Sequence, residues 1–527
     1  MESVKKNKLL LFPFFVGLIL IGYSWYLSYP LSVASVDDFV FDEISMLYWF
    51  SLPLLLTSMF MMAVTSKSHS KKWIISIGII MTIYSISYFY FMLPGSDSRY
   101  FRGLTEYFIE TKNLDPTQPN HHYYQWPSFF ILSYVINSVS GLNLVNFEFL
   151  LYAVIGFLLV TFLYVYASRS YKNSSFLTVP VFFISMFYFL NYQCVPFSLA
   201  LGLLFLLFML ETQKKSTGLI ITMLVFYTSI TITHVFVPVF FVIYLLIRWI
   251  LDRNRQYGNL FLLSLILFFV IQFTLARFSF ARNIMFVITT SPEYSGMVES
   301  TIAPVSAQID IIAQMFSRAI TIAFIIICGS GFLFLFVKRK LKSLDKALLL
   351  TGAIYSVLGF VFFTLGSRAL IIAFIPISLG ATWFFESNTK PYIKRIFSVL
   401  LLVLLTLFLF IPLHQSFSNA IHFQTQEAHK AENFFIDYYN WEKSSFTFAD
   451  FRVITYLQSK INVYRDFSSY LAVYLKMGER ADTVFYTVGL GKYLKNKNYT
   501  IERIFYEERL NVVYNNGFSY IATRAQD

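Results

Sequence analysis

The stretch "GSDSRYFRGLTEYFIETKNLDPTQPNHHYYQWP", which ends at Pro127, places an acid, two adjacent histidines and a run of aromatics between two strongly apolar segments. Asp97 lies at the start of a helical pattern, where a carboxylate beside a membrane surface can act as a general base and take the proton of an attacking hydroxyl. The same carboxylate would also cap the helix and complement its dipole, and the two roles are compatible. His121, His122 and Tyr123, with Gln193 further on in "NYQCVPF", could orient a sugar hydroxyl or a phosphate, or be interfacial polar groups among aromatics. A second acidic cluster, "SVDDFVFDE", supplies Asp37, Asp38, Asp42 and Glu43. Hard divalent cations take several carboxylate oxygens, so this loop could bind one; otherwise it is a solvated negative loop. His234 in "TITHVFVP" is an ionisable group at membrane depth, a functional candidate by default. Arg368 in "LGSRALIIAF", together with Arg277, Arg282 and Arg318, could clamp an anionic phosphate through paired hydrogen bonds or snorkel to lipid headgroups.

The elements that must position these groups follow from composition. Of the 527 residues 57% are hydrophobic and only 13% charged, against about 25% charged in soluble globular proteins. Apolar runs recur from the N-terminus to Pro412, each long enough for roughly 30 Å of hydrocarbon. The fold class is therefore an α-helical polytopic membrane protein. Thirteen spans are predicted, near 9–29, 47–64, 73–93, 146–167, 176–192, 197–211, 217–234, 235–251, 259–276, 319–337, 346–365, 368–385 and 396–412. The first follows "KKNK" and is too long for a signal-peptide core, so it is expected to be retained. Cys194 and Cys328 form neither a metal-ligand cluster nor a disulfide framework.

The net charge of +12 is gathered in alternate loops: Lys67, Lys71 and Lys72; Arg169 and Lys172; Lys214 and Lys215; Arg253 and Arg255; "KRKLK" from Lys338; Lys390, Lys394 and Arg395. This is the positive-inside pattern rather than a nucleic-acid footprint. It predicts a cytoplasmic N-terminus and puts loops 30–46, 94–145 and 277–318, with the tail from 413 to 527, on the outer face.

Within the second of these loops, Phe101, Leu104, Tyr107 and Phe108 share one helical face, and Arg102, Glu106 and Glu110 the other. An amphipathic interfacial helix is expected there, followed by a short apolar helix over 127–141. The tail reads as a small α/β domain ending in a hairpin, because Asn516-Gly517 between β-prone runs suits a tight turn.

The order of outer-loop Asp, surface helix, aromatic-Pro segment and short apolar helix resembles the GT-C superfamily of polytopic glycosyltransferases. It is carried by "GSDSRYFRGLTEYF" and "HHYYQWPSFFILSYVINSVSGLNLVNFEFLLYAVIGFLLVTFLYVYASRSY". Similarity extends to "NYQCVPFSLALGLL", "THVFVP", "GSRALIIAFIPISLG" and "VVYNNGFSYIA", and is nearest to the archaeal-type RgtA/B/C/D-like and dolichyl-phosphate-sugar mannosyltransferase groups. The resemblance implies a GT-C bundle, a sugar donor carried on polyprenyl or dolichyl phosphate, and a glycan, lipid or protein acceptor. It further implies inversion at the anomeric carbon, with Asp97 as base and Arg368, His234 and Arg318 on the lipid phosphate. Many members place the acid directly after the first helix, which makes Asp37 and Asp38 alternative bases, and a WWDYG-like motif is missing.

Three other readings fit the composition. A transporter or flippase for a lipid-linked sugar would carry ionisable groups near the midplane and often internal repeats. A polysaccharide polymerase or ligase would also use outward arginines. A non-catalytic scaffold is the third.

Overall fold

The computed structural model describes residues 2–30, 44–90, 96–117, 122–169, 175–185, 195–211, 213, 216–277, 308–338, 340–361, 366–387 and 429–434, and five short strands beyond residue 446. In a bilayer each backbone N–H and C=O must be paired within its own segment, which makes helix the outcome for these apolar runs. The helices are α1 (Glu2–Ser28), α2 (Met46–Thr65), α3 (His69–Ile83), α4 (Ser96–Thr111), α5 (Ser128–Ser140), α6 (Leu144–Ser168) and α7 (Thr178–Ser185). They continue with α8 (Pro196–Glu211), α9 (Thr217–Thr231), α10 (Val237–Asp252), α11 (Arg255–Thr274), α12 (Gln308–Val337), α13 (Ser343–Val361) and α14 (Gly366–Ser387). A helix thus stands at every predicted span except 396–412, which lies outside the described residues. Segments Leu10–Ser28, Met46–Thr65, Leu144–Ser168, Arg255–Thr274 and Arg318–Val337 are long and apolar enough to cross a membrane, and shorter apolar helices pack among them. The chain is a helical protein of the multi-pass membrane type.

Two boundaries differ from expectation. The span predicted over 73–93 breaks at Tyr84 into a 3-10 turn, Ser85–Phe89. There Ser85 donates its hydroxyl to the Thr82 carbonyl at 2.7 Å and meets the Tyr48 hydroxyl at 3.0 Å, side-chain bonds that compete with the helical ladder. The loop predicted to run to residue 318 instead turns helical at Gln308.

Packing is closest where α12, α13 and α14 meet. A Cβ on Gly331 would lie 2.2 Å from the Gly380 carbonyl oxygen, and one on Gly352 would lie 2.4 Å from the Ala373 nitrogen. Small residues here let backbones touch, the usual means of helix association in lipid.

At the end assigned to the cytoplasm, a buried polar cluster ties α8, α10, α11 and α13 together. Arg248 donates to the Tyr257 hydroxyl at 2.6 Å and to Ser343, lies 2.7 Å from Asp252, and approaches Glu211 at 3.4 Å. Tyr257 in turn donates its hydroxyl hydrogen bond to Glu211 Oε1 at 2.7 Å. Beside it Asp345 accepts from the Tyr166 hydroxyl at 2.5 Å and from the Lys342 backbone N–H at 2.9 Å. Lys72, counted from sequence among the charges of a basic loop, is only 5% exposed, with its ammonium 5.7 Å from the Phe176 ring.

Beyond the helices, β1 (Thr447–Ala449), β2 (Phe467–Ser468), β3 (Thr483–Thr487), β4 (Leu510–Asn515) and β5 (Ser519–Arg524) form one sheet in the order β2-β1-β3-β5-β4. Strands β2, β1 and β3 run parallel, while β5 pairs antiparallel with both β3 and β4. The antiparallel β4–β5 pair flanks Asn516-Gly517, where the hairpin was expected.

Candidate functional site

Helix α4 carries the principal candidate. It begins at Ser96, so Asp97 is its second residue, inside the first turn, where a carboxylate complements the helix dipole. Phe101, Leu104 and Phe108 are buried as the apolar face predicts. Arg102, assigned by spacing to the polar face, is not in solvent: it is 3% exposed and paired with Glu148 of α6, which is 5% exposed. Its Nε donates to Glu148 Oε1 at 2.7 Å and its Nη2 to Oε2, a two-pronged grip. Ser98 and Arg99 are buried too, and of the predicted polar face only Glu110 is fully exposed, with Glu106 half-buried. Helix α4 is therefore packed against α6 through a buried ion pair, since a guanidinium taken out of water requires its carboxylate.

The chain returns through an Asx turn, in which Asp115 Oδ1 accepts from the Thr117 N–H at 2.9 Å and its hydroxyl at 2.6 Å. A 3-10 turn, His122–Gln125, then lays Tyr123 on Phe101, with ring centroids 4.8 Å apart, and near Tyr100 at 6.1 Å. Tyr124 donates its hydroxyl to the Leu104 carbonyl at 2.5 Å. Burial, with smaller contributions from neighbouring tyrosines, pushes the Tyr100 and Tyr124 hydroxyls well above their usual range, so both remain protonated donors.

Trp126 extends the contact across the bundle. Its Nε1 donates to Gln272 Oε1 at 3.2 Å, and Ser128 N donates to the Ile232 carbonyl at 3.2 Å. Trp126, Val235 and Ala276 form a small buried cluster flanked by Tyr123 and Phe236. His234 sits at this α9–α10 junction, 7% exposed, with the Phe197 ring 5.5 Å away. Its Nδ1 accepts the Phe236 N–H at 3.2 Å, which leaves the ring proton on Nε2. Tyr123 and His234 thus reach one end of the bundle through a shared aromatic cluster, and Arg277, exposed, follows directly after Ala276.

The remaining candidates are placed more sparsely. Arg318 is exposed on α12, and Arg368 is the third residue of α14. The side chains of Asp97, His122 and Arg368 lie outside the described residues, as do Asp37, Asp38, Asp42, Glu43, His121, Gln193 and Arg282 altogether. Among the described residues no group of three His, Cys, Asp or Glu is disposed to hold a metal ion.

Two features escaped the sequence reading. Glu148 is the only acid in the 25-residue α6, and an acid in so apolar a helix was the available signal for a buried partner. The helical segment 429–434 buries Ala431 and Glu432 completely and sets His429 Nδ1 3.1 Å from Glu432 Oε2, with His429 in electrostatic reach of Glu148.

Chemically, this end of the bundle offers a helix N-terminal turn bearing an acid, a braced helix behind it, an aromatic wall and an imidazole with a fixed tautomer. Comparison of the sequence with protein-family models and with curated proteins finds no match.

Proposed function

We propose that the protein is a membrane glycosyltransferase of GT-C type that moves a sugar from a polyprenyl- or dolichyl-phosphate donor to a glycan, lipid or protein acceptor on the extracytoplasmic face. The observation that carries the reading is the setting of Asp97: an acid in the first turn of a helix that is locked to the bundle by the buried Arg102–Glu148 pair. A general base needs such fixed geometry, since small misplacements of a reacting group cost large factors in rate.

In the proposed reaction the acceptor oxygen attacks the anomeric carbon as the carbon–oxygen bond to the lipid phosphate breaks, inverting the configuration. Asp97 receives the acceptor proton. The lipid phosphate leaves with its electron pair, and Arg368, His234 and Arg318 hold its charge. A divalent cation on Asp37 and Asp38 is compatible with this scheme, and the sheet-forming tail is assigned to the same outer face.

The distribution of buried charge supports an enzyme over a flippase. A transporter calls for ionisable groups near the midplane. On the apolar helices α6, α8, α10 and α13 the buried charges lie toward helix ends instead: Glu148 is the fifth residue of α6, Asp345 the third of α13, and Glu211 and Arg248 fall within the last five residues of theirs.

The test is transfer from a panel of radiolabelled polyprenyl-phosphate sugars by the purified protein in lipid, with membrane extract as acceptor source. Wild type should transfer from at least one donor, Asp97→Asn should lose transfer while staying folded, and Arg368→Ala should mainly weaken donor binding. Wild-type rates in Asp97→Asn would move the base to Asp37 or Asp38. No transfer from any donor would sink the enzyme reading.

A further inference from the structure

From Leu265 to Thr274 the apolar helix α11 carries a single amide, Gln272, and none of its surface reaches solvent. Taking an amide out of water costs free energy unless its donor and its acceptor are both used, so its partners say what it is for. The indole of Trp126 is a donor only and a backbone carbonyl an acceptor only, which fixes the way the amide faces. Oε1 accepts from Trp126 Nε1 at 3.2 Å, and Nε2 lies 3.5 Å from the Thr231 carbonyl oxygen.

Thr231 is the last residue of α9, and its carbonyl is one of those that a helix C-terminus leaves without an intrahelical donor. The next carbonyl, that of Ile232, takes the N–H of Ser128, which stands just beyond Trp126 in the chain. Gln272 and the Trp126–Ser128 segment thus hold two successive peptide groups at the point where the chain turns toward His234. Beyond the histidine, the Tyr355 hydroxyl of α13 donates to the Phe236 carbonyl at 3.2 Å, and the Phe197 ring of α8 lies edge-on to the imidazole, 5.5 Å away. Three helices therefore grip a short turn that bears one ionisable side chain. The bond from the Phe236 N–H to His234 Nδ1 survives only while that turn keeps its shape. Without it either ring nitrogen can carry the proton.

We propose that Gln272 is a positioning residue for His234: its contacts with Trp126 and the end of α9 keep the α9–α10 turn in the shape that holds the imidazole proton on Nε2. The proposal rests on the glycosyltransferase reading for what His234 does, which is to donate from Nε2 to the departing lipid phosphate. A misplacement of roughly 1 Å in such a group costs about a hundredfold in rate.

The experiment records the ring-nitrogen resonances of the full-length protein, labelled with ¹⁵N at histidine and held in lipid bilayers, beside the sugar-transfer assay. His234→Asn assigns the His234 signals. Wild type should show one protonated and one hydrogen-bonded, unprotonated nitrogen at His234. Gln272→Leu should split or broaden that pair as the second tautomer appears, and should lower transfer about a hundredfold. Added to His234→Asn it should lower transfer no further, whereas its effect on the unfolding midpoint should persist in both backgrounds. Unchanged His234 resonances in Gln272→Leu, or a second full loss of transfer on top of His234→Asn, would overturn the proposal. Gln272→Met, of similar length, takes its place if the leucine variant does not fold, and two tautomers in wild type would overturn the proposal without any variant. A lost tautomer in a protein that transfers no sugar would keep Gln272 as the brace of His234 and remove the transferase. Transfer with His234 resonances indifferent to Gln272 would do the reverse.

Discussion

The Arg102–Glu148 pair gives the sharpest test of how α4 is held. Both residues are almost fully buried, at 3% and 5% exposure, and the guanidinium uses two nitrogens on the two carboxylate oxygens. Removing either partner leaves a desolvated charge without its match, which costs about 3–5 kcal/mol. Replacing both by apolar residues of similar volume removes the charges along with the contact, and such exchanges are often neutral or stabilising. Arg102→Met and Glu148→Leu should therefore each destabilise by about 3–5 kcal/mol, while the double variant should lie within about 1–2 kcal/mol of wild type. Unfolding of the purified protein in mixed micelles by SDS titration, followed through tryptophan fluorescence, gives all four corners of the cycle. A double variant as unstable as the worse single variant would refute the reasoning, because it would mean that the side chains are needed for contacts other than each other. A stable double variant that still loses activity would separate bracing from chemistry.

Three further outcomes follow from other contacts. Gly380→Val should destabilise by more than about 2 kcal/mol, since its Cβ would meet the Cys328 carbonyl oxygen at 2.1 Å. Gly329→Ala, next to Cys328 on α12 and with open space at its Cβ, should be neutral or stabilising by up to about 1 kcal/mol, and equal thermal unfolding of the two variants would contradict the packing. Tyr257→Phe removes the hydroxyl shared by Arg248 and Glu211 and should cost about 1.5–3 kcal/mol in the same SDS titration, an unchanged midpoint showing that the cluster does not depend on it. A membrane-impermeant maleimide should label Thr117→Cys in intact cells and Gln256→Cys only after permeabilisation; the opposite pattern would invert the topology.

The helices were readable because an apolar run of membrane length has one backbone solution, so position in sequence and position of helix coincide, although only five of the described helices have the length and apolarity of a span. The break at Tyr84 was not, because it depends on a serine hydroxyl meeting Tyr48, 37 residues away in sequence. The antiparallel pairing of β4 with β5 was readable because the signal for it is local, two β-prone runs close together in sequence. Arg102 misled for the opposite reason: i, i+4 spacing suggested a solvated face, but its partner is 46 residues along on another helix. Of the candidate site, the sequence marked α4, the aromatic segment with Tyr123 and Trp126, and His234, and the structure connects them through Gln272, a residue with no motif to announce it.

The Arg248 cluster also constrains the order in which the protein can be assembled. Glu211 is synthesised 37 residues ahead of Arg248, and Ser343 comes 95 residues after Arg248. While the chain is being inserted, the carboxylate at the end of α8 has Arg169 of an earlier segment in electrostatic reach, but its hydrogen-bonding partners Arg248 and Tyr257 arrive only with α10 and α11. The inner end of the bundle therefore closes late, because the hydrogen bonds that complete this cluster come from three later helices, and a nascent chain stalled before α10 has made none of them.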